Sequence, residues 1–169
     1  MAANLSSHKR GWDERWLEFS NYAAAGQILK DNLLRLVDED TQAFNQIMAA
    51  FQLPNTTADE KSARKAAVQA ATKIAIEVPL QTARLCVESF DLIEKMVEIG
   101  NPNSVTDAGV GALCARAAVL GACLNVKVNA SGLSDKVFAQ AVVAESERLA
   151  RLAEEREASI LKTVNAKIS

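Results

Sequence analysis

At 169 residues and 49% hydrophobic, the chain is long enough to bury one substantial core, either as a single domain or as one subunit of a helical oligomer. Its formal net charge of −2 and the lack of a polybasic block exclude the strong positive field that nucleic acid or an anionic membrane surface selects. Aromatics make up only 5%, and no strand-like alternation persists between turns, so the composition predicts an all-α domain covering 1–169.

The opening MAANLSSHKR reads as the end of a helix. It lacks the charged start and apolar centre of a signal peptide, and no apolar run is read as approaching the roughly 20 residues that span a bilayer. A cytoplasmic location without a membrane partner is therefore expected. His8 is the one histidine, so a zinc centre is not expected. Cys86, Cys114 and Cys123 lie among apolar residues without a CxxC and are expected to be buried, reduced thiols.

From Tyr22 to Phe51, apolar residues recur every three or four positions through Leu29, Leu33, Leu36, Phe44 and Ile47, predicting a long amphipathic helix. Asp40 interrupts that stripe between Leu36 and Phe44. A carboxylate on a buried face is costly unless it is paired, hydrogen-bonded or functional. Asp38, about 200° around the helix, is expected to face water instead. After LPNTT, Thr57 and Glu60 form a capping box that opens a second long helix, whose face runs through Ala67, Ala71, Ile74 and Val78. Pro79 is expected to kink or split this helix, and Gly100 to stop it. Lys61, Arg64 and Lys65 cluster near its start; they read first as solvated charges, with Arg64 also a candidate for an anionic substrate tail.

GNPNS at 100–104 leads into a third segment, Ser104 to about Leu124, with Val110, Leu113, Ala117, Leu120 and Leu124 on one face. Gly109, Gly111, Ala112, Ala115, Ala118 and Gly121 make it poor in bulk, which predicts a central helix closely approached by its neighbours. Ser104 and Asp107 have capping-box spacing, so Asp107 reads as a helix cap. It also extends the apolar stripe, and Arg116 lies about 180° away in helical phase, which makes Asp107 a candidate proton-transfer acid. Asn125 returns to the Asp107 face, but about 27 Å further along a continuous helix. Asn125 and Asn129 read as helix-terminating groups or as pocket amides. Ser134 is expected to cap the last helix, along which Phe138, Ala141, Glu145, Leu149 and Leu152 share a side. Its ESERLARLAEEREA tract reads as a solvated face with i,i+4 ion pairs.

LVDEDTQAFNQIMAAFQLP, ADEKSARKAAVQAA, the VPL step at 78–80 and GNPNSVTDAGVGALCARAAVLGACLNVKVN resemble, in order and spacing, the cyclodeaminase domain of the formimidoyltransferase-cyclodeaminase family. Free-standing methenyltetrahydrofolate cyclohydrolases share this domain. The resemblance implies an all-helical dimer that converts 5-formimidoyltetrahydrofolate to 5,10-methenyltetrahydrofolate and ammonia. It implies a tetrahydrofolate derivative as substrate, no prosthetic group, and a formimidoyltransferase domain or subunit as a partner. Carried onto this sequence, it puts Asp107 first and Asp40 second as acid/base, with Asn101, Asn103, Asn125 and Asn129 at the substrate. Family members begin with a further helix and a glycine-rich segment, and this chain is expected to start after both. The alternatives are a cyclohydrolase acting on the methenyl compound and a catalytically silent helical dimerisation module.

Overall fold

The computed structural model describes residues 1–169 as five α-helices joined by short turns, with no strand. Helix α1 (Ala2–Ser7) is short and lies against α2 (Trp16–Phe51); α3 (Ala58–Ile99), α4 (Val105–Ser131) and α5 (Lys136–Ile168) complete the bundle. At 42 residues, α3 extends about 63 Å. It packs along α4, α2 and α5 and is the spine of the fold.

Local chemistry sets the helix ends. The capping box at Thr57 forms as the sequence predicts: Thr57 Oγ1 accepts from the Glu60 backbone N–H, and Glu60 returns a carboxylate to the Thr57 N–H at 2.9 Å. Those bonds to the Thr57 and Thr56 backbone amides hold the Glu60 carboxyl below its ordinary pKa. Gly100 ends α3 in an extended conformation, φ −72° and ψ 178°, rather than in the left-handed cap. A side chain there would run into the Met96 carbonyl. The last helix is capped by Asp135, not Ser134: Asp135 Oδ1 accepts from Phe138 N–H at 3.1 Å, while its other oxygen meets Lys73 at 2.6 Å. Both contacts lower the Asp135 pKa, the Lys73 bond most.

Pro79 does not split α3, which runs unbroken through it. Proline removes the N–H that would bind the carbonyl four residues back, here Ala75. The Asn129 side chain of α4 supplies the replacement, with Nδ2 donating to Ala75 O at 3.0 Å.

The core is built from small side chains as much as from large ones. Phe19, Ile76, Leu80 and Phe90 are fully buried, and α4 inserts Ala108, Ala112, Ala115, Val119, Ala122 and Val126 between α3 and α5. The approach is close: a Cβ on Gly109 would lie 3.3 Å from Val164 of α5. This corrects the predicted phase of α4. Val110, Leu113 and Leu124, expected inside, are exposed. Of the predicted α5 side Leu149 is buried, but the helix otherwise buries Ala139, Val142, Ser146, Ala153 and Ile160, and on α2 and α3 Phe44, Phe51 and Ile74 stand exposed.

The charged tract of α5 makes interhelical pairs instead of the expected i,i+4 pairs. Glu145 takes Arg84 through two 2.9 Å bonds, Glu147 takes Lys127, and Arg156 bridges Asp91 and Glu94. Within Pro102–Ser131 an 18-residue stretch has a mean hydropathy of 1.6, so the segment is long and apolar enough by length and composition to cross a bilayer, contrary to the sequence expectation. Their alanine and valine face is instead the centre of the bundle, and Arg116 on this helix pairs with Glu154 and Glu157 of α5.

Candidate functional site

Around Asp40, α2 packs on the middle of α3 and stands across a gap from the second half of α4. Pro79 on α3 and Ala122 on α4 are buried beside that gap, while Ala118 and Gly121 on α4 lack the bulk to fill it. What remains is a groove of about 410 Å³ walled by Leu33, Leu36, Val37 and Pro79, floored by Ala118 and Gly121, and carrying Asp40, Thr41, Thr82 and Asn125. A smaller hollow of about 170 Å³ adjoins it, shares Asp40 and Asn125, and adds Phe44, Ile47, Ala75 and Asn129. The fold thus brings Asp40, Asn125 and Asn129 together from two helices.

Asp40 is exposed, not buried as its stripe position predicts. The stripe passes from the α2–α3 contact onto an open surface, because Ala43, not Phe44, packs against α3, and further on Ala50 is buried while Phe51 is exposed. Asp38 is also exposed. Asp40 forms no ion pair: neighbouring Glu39 takes Arg35 at 3.1 Å, and no Lys, Arg or His lines either hollow. An unpaired carboxylate between apolar walls and neutral amides is equipped to accept and return a proton.

Asp107 lies elsewhere. It occupies the first turn of α4, exposed, beside a cleft of about 420 Å³ that also touches Tyr22, Lys30, Met96, Gly111 and the Met1–Asn4 segment. The predicted capping box fails, since Ser104 is buried and makes no side-chain cap bond. Arg116 turns away to α5, its Nε 3.2 Å from Glu157 though not aligned as a hydrogen bond. Because α4 is continuous, Asp107 and Asn125 are about 27 Å apart along its axis.

The remaining sequence candidates are dispersed. Asn101 organises the α3–α4 turn: its Oδ1 accepts from Asn103 N–H at 3.1 Å, and its own N–H donates to Ser6 Oγ at 2.7 Å. Asn103 is exposed beside it. Arg64 sits over the Phe51 ring at 5.9 Å, near the α2–α3 turn. Asn125 and Asn129 do not terminate α4, which continues to Ser131. Thr41 and Thr82 were not singled out in the sequence; the signal for Thr82 is a lone hydroxyl in VPLQTARL, three residues after Pro79. No group of three or more His, Cys, Asp or Glu side chains is placed to hold a metal.

Residues 1–148 match the family described as formiminotransferase-cyclodeaminase. The chain is 38% identical over 169 residues to a methenyltetrahydrofolate cyclohydrolase of Methylorubrum extorquens, covering 100% of this chain and 81% of that protein. It is 35% identical over 108 residues to the formimidoyltransferase-cyclodeaminase of Gallus gallus, which is 64% of this chain but only 20% of that protein. A crystal structure of formiminotetrahydrofolate cyclodeaminase from Thermotoga maritima superposes with a TM-score of 0.84 at 24% identity, over 100% of this chain and 80% of that one, which establishes the shared fold.

Proposed function

The chain belongs to the formiminotransferase-cyclodeaminase family, and from that membership we propose that it is an enzyme of folate one-carbon chemistry, a cyclodeaminase acting on 5-formimidoyltetrahydrofolate with Asp40 as its proton carrier. The observation that carries the assignment is the gathering of Asp40, Asn125 and Asn129 around one cation-free hollow. Asp40 thereby takes precedence over Asp107, whose cleft holds none of the other polar residues singled out in the sequence.

In the proposed reaction the formimidoyl group is protonated. Folate N10 attacks its carbon, forming the N10–C bond. The Asp40 carboxylate accepts the N10 proton and returns it to the formimidoyl nitrogen; the C–N bond to that nitrogen breaks, and ammonia departs with its electron pair. The positive charge of the substrate passes to the 5,10-methenyl product. A formimidoyltransferase, the activity joined in the name of the Gallus gallus relative, is proposed as the source of the substrate.

A second reading, cyclohydrolysis of 5,10-methenyltetrahydrofolate, is favoured by the Methylorubrum extorquens relative, which aligns with the whole chain. Two assays on one preparation separate the readings. Ammonia released in step with methenyl absorbance from the formimidoyl substrate supports the first, and loss of the methenyl compound without any ammonia-releasing activity supports the second. Neither activity would contradict both.

A homodimer is part of the proposal. The single chain exposes 9882 Å², about 1,800 Å² more than a compact monomer of its mass. Much of the excess is apolar: Val37, Phe44 and Met48 on α2, and Val110, Leu124 and Val128 on α4, are each at least 45% exposed. Such faces call for a partner surface.

A further inference from the structure

We infer that the outward face of α4 is a two-fold, antiparallel contact with the α4 of a second copy, centred beside Val119; this rests on the homodimer within the proposed function and names the surface and pairing that make it.

The observation that points there is a glycine without a cause inside one chain. A Cβ on Gly109 would lie 3.3 Å from Val164, but a Cβ on Gly121 would meet nothing within 4 Å. Glycine inside a helix weakens it relative to alanine, so within one copy position 121 carries a cost with no packing reason. It has a reason where a second backbone approaches closely. Gly121 is one of a run of exposed positions, Val110, Cys114, Ala117, Gly121, Leu124 and Val128, that follow one another at alternating steps of four and three. That is the a/d spacing of a coiled-coil seam. Its middle is about 180° around the helix from Val119, which is fully buried. The helix is thus apolar on its core side and on its outward side, a pattern that belongs to a helix covered all round. No charged side chain stands on the seam. Arg116, the one charge between Asp107 and Lys127, turns to Glu154 and Glu157 of α5.

The exposed area selects a second copy as the occupant. The surplus of about 1,800 Å² over a compact monomer covers the roughly 800 Å² that each partner brings to a standard interface. The sizes along the seam are also self-complementary in the antiparallel sense. With the axis beside Val119, Val110 faces the partner's Val128, Cys114 the partner's Leu124 and Ala117 the partner's Gly121. Small residues then meet near the axis, where the backbones come closest, and larger ones meet at both ends. Ala118 and Gly121 also line the Asp40 groove, so the partner helix runs along the open flank of that groove.

A parallel pair would set Cys114 against the partner's Cys114, whereas the antiparallel pair holds those two thiols about 15 Å apart along the axis. Leu124→Cys separates the two, because its thiol faces the partner's Cys114 within disulfide reach. Mild oxidation of the whole chain is expected to give a covalent dimer on a non-reducing gel from Leu124→Cys, at least about 10-fold more than from the parent, and none once Cys114→Ser is added. Val110→Cys with Val128→Cys in a Cys114→Ser background is expected to cross-link likewise. Gly121→Leu is expected to weaken dimerisation at least about 10-fold in sedimentation, with helicity retained. A dimer by sedimentation that cross-links in neither cysteine variant, or a parent that cross-links as readily through Cys114, overturns the pairing and leaves the dimer standing. A monomeric parent removes both, and a monomer that co-floats with phosphatidylcholine vesicles gives the face to lipid instead.

Discussion

Asn129 of α4 donates its side-chain amide to the carbonyl of Ala75 on α3, 3.0 Å away, taking the place of the backbone N–H that Pro79 lacks. One contact thus lets α3 run unbroken through a proline, ties α3 to α4, and orients an amide beside Asp40. Removing the amide leaves the carbonyl without that partner, and Asn129→Ala is expected to cost about 1 kcal/mol. In a Pro79→Ala background the backbone N–H is restored, and the same change is expected to cost less than about 0.3 kcal/mol. Denaturant unfolding of the four-member cycle checks this; additive effects would refute the substitution of one donor for another.

The Arg84–Glu145 pair predicts an acid-sensitive increment of stability. Bonding to the Arg84 guanidinium holds the Glu145 carboxyl below its ordinary value of 4.5. A carboxyl lowered in the folded state contributes fully above its unfolded pKa and loses that contribution as pH falls through the folded one. Both side chains are about one-third exposed, so the increment is only about 0.5 to 1 kcal/mol. Glu145→Gln is expected to show a shallower loss of stability than the parent below about pH 4.5, measured by urea unfolding as a function of pH.

The three thiols are not equivalent. Cys86 and Cys123 are buried, and burial raises both pKa values; Cys123 also lies 3.1 Å from the Ser146 carbonyl. Cys114, expected inside with them, is exposed on α4. An aromatic disulfide reagent at neutral pH is therefore expected to titrate one thiol rapidly and two only on unfolding. Cys114→Ser should abolish the fast phase; its persistence would contradict the placement.

Element boundaries were more legible in the sequence than element faces. The Thr57–Glu60 box, the breaks at 53–57 and 100–104, and the Gly/Ala-rich central helix follow from local backbone chemistry, which acts within a few residues. On α4 and, apart from Leu149, on α5 the large apolar residues do not mark the inward face, because close helix packing selects Ala108, Ala112, Ala139 and Ala153. By the same stripe rule Asp40 is expected inside, yet it stands on an open surface. Its conjunction with Asn125 and Asn129, 85 or more positions later in the chain, depends on how α2 and α4 both pack on α3, which no spacing within one helix contains.

The exposed apolar side chains of α4 bear on assembly. Leu124 and Val128 are 69% and 65% exposed and one turn apart on α4. Sedimentation at micromolar concentration is expected to give a dimer for the parent and a helical monomer for Leu124→Lys combined with Val128→Lys. A stable monomeric parent would remove the proposed dimer.

The most direct test of the proton-carrier assignment compares two isosteric variants in the ammonia-release assay, with circular dichroism as the check on folding. Asp40→Asn is expected to lower kcat by about 10²-fold or more with unchanged helicity, while Asp107→Asn stays within about 3-fold of the parent, a barrier change below about 0.7 kcal/mol. A folded Asp40→Asn variant with full activity, or the large loss falling on Asp107→Asn instead, would contradict it.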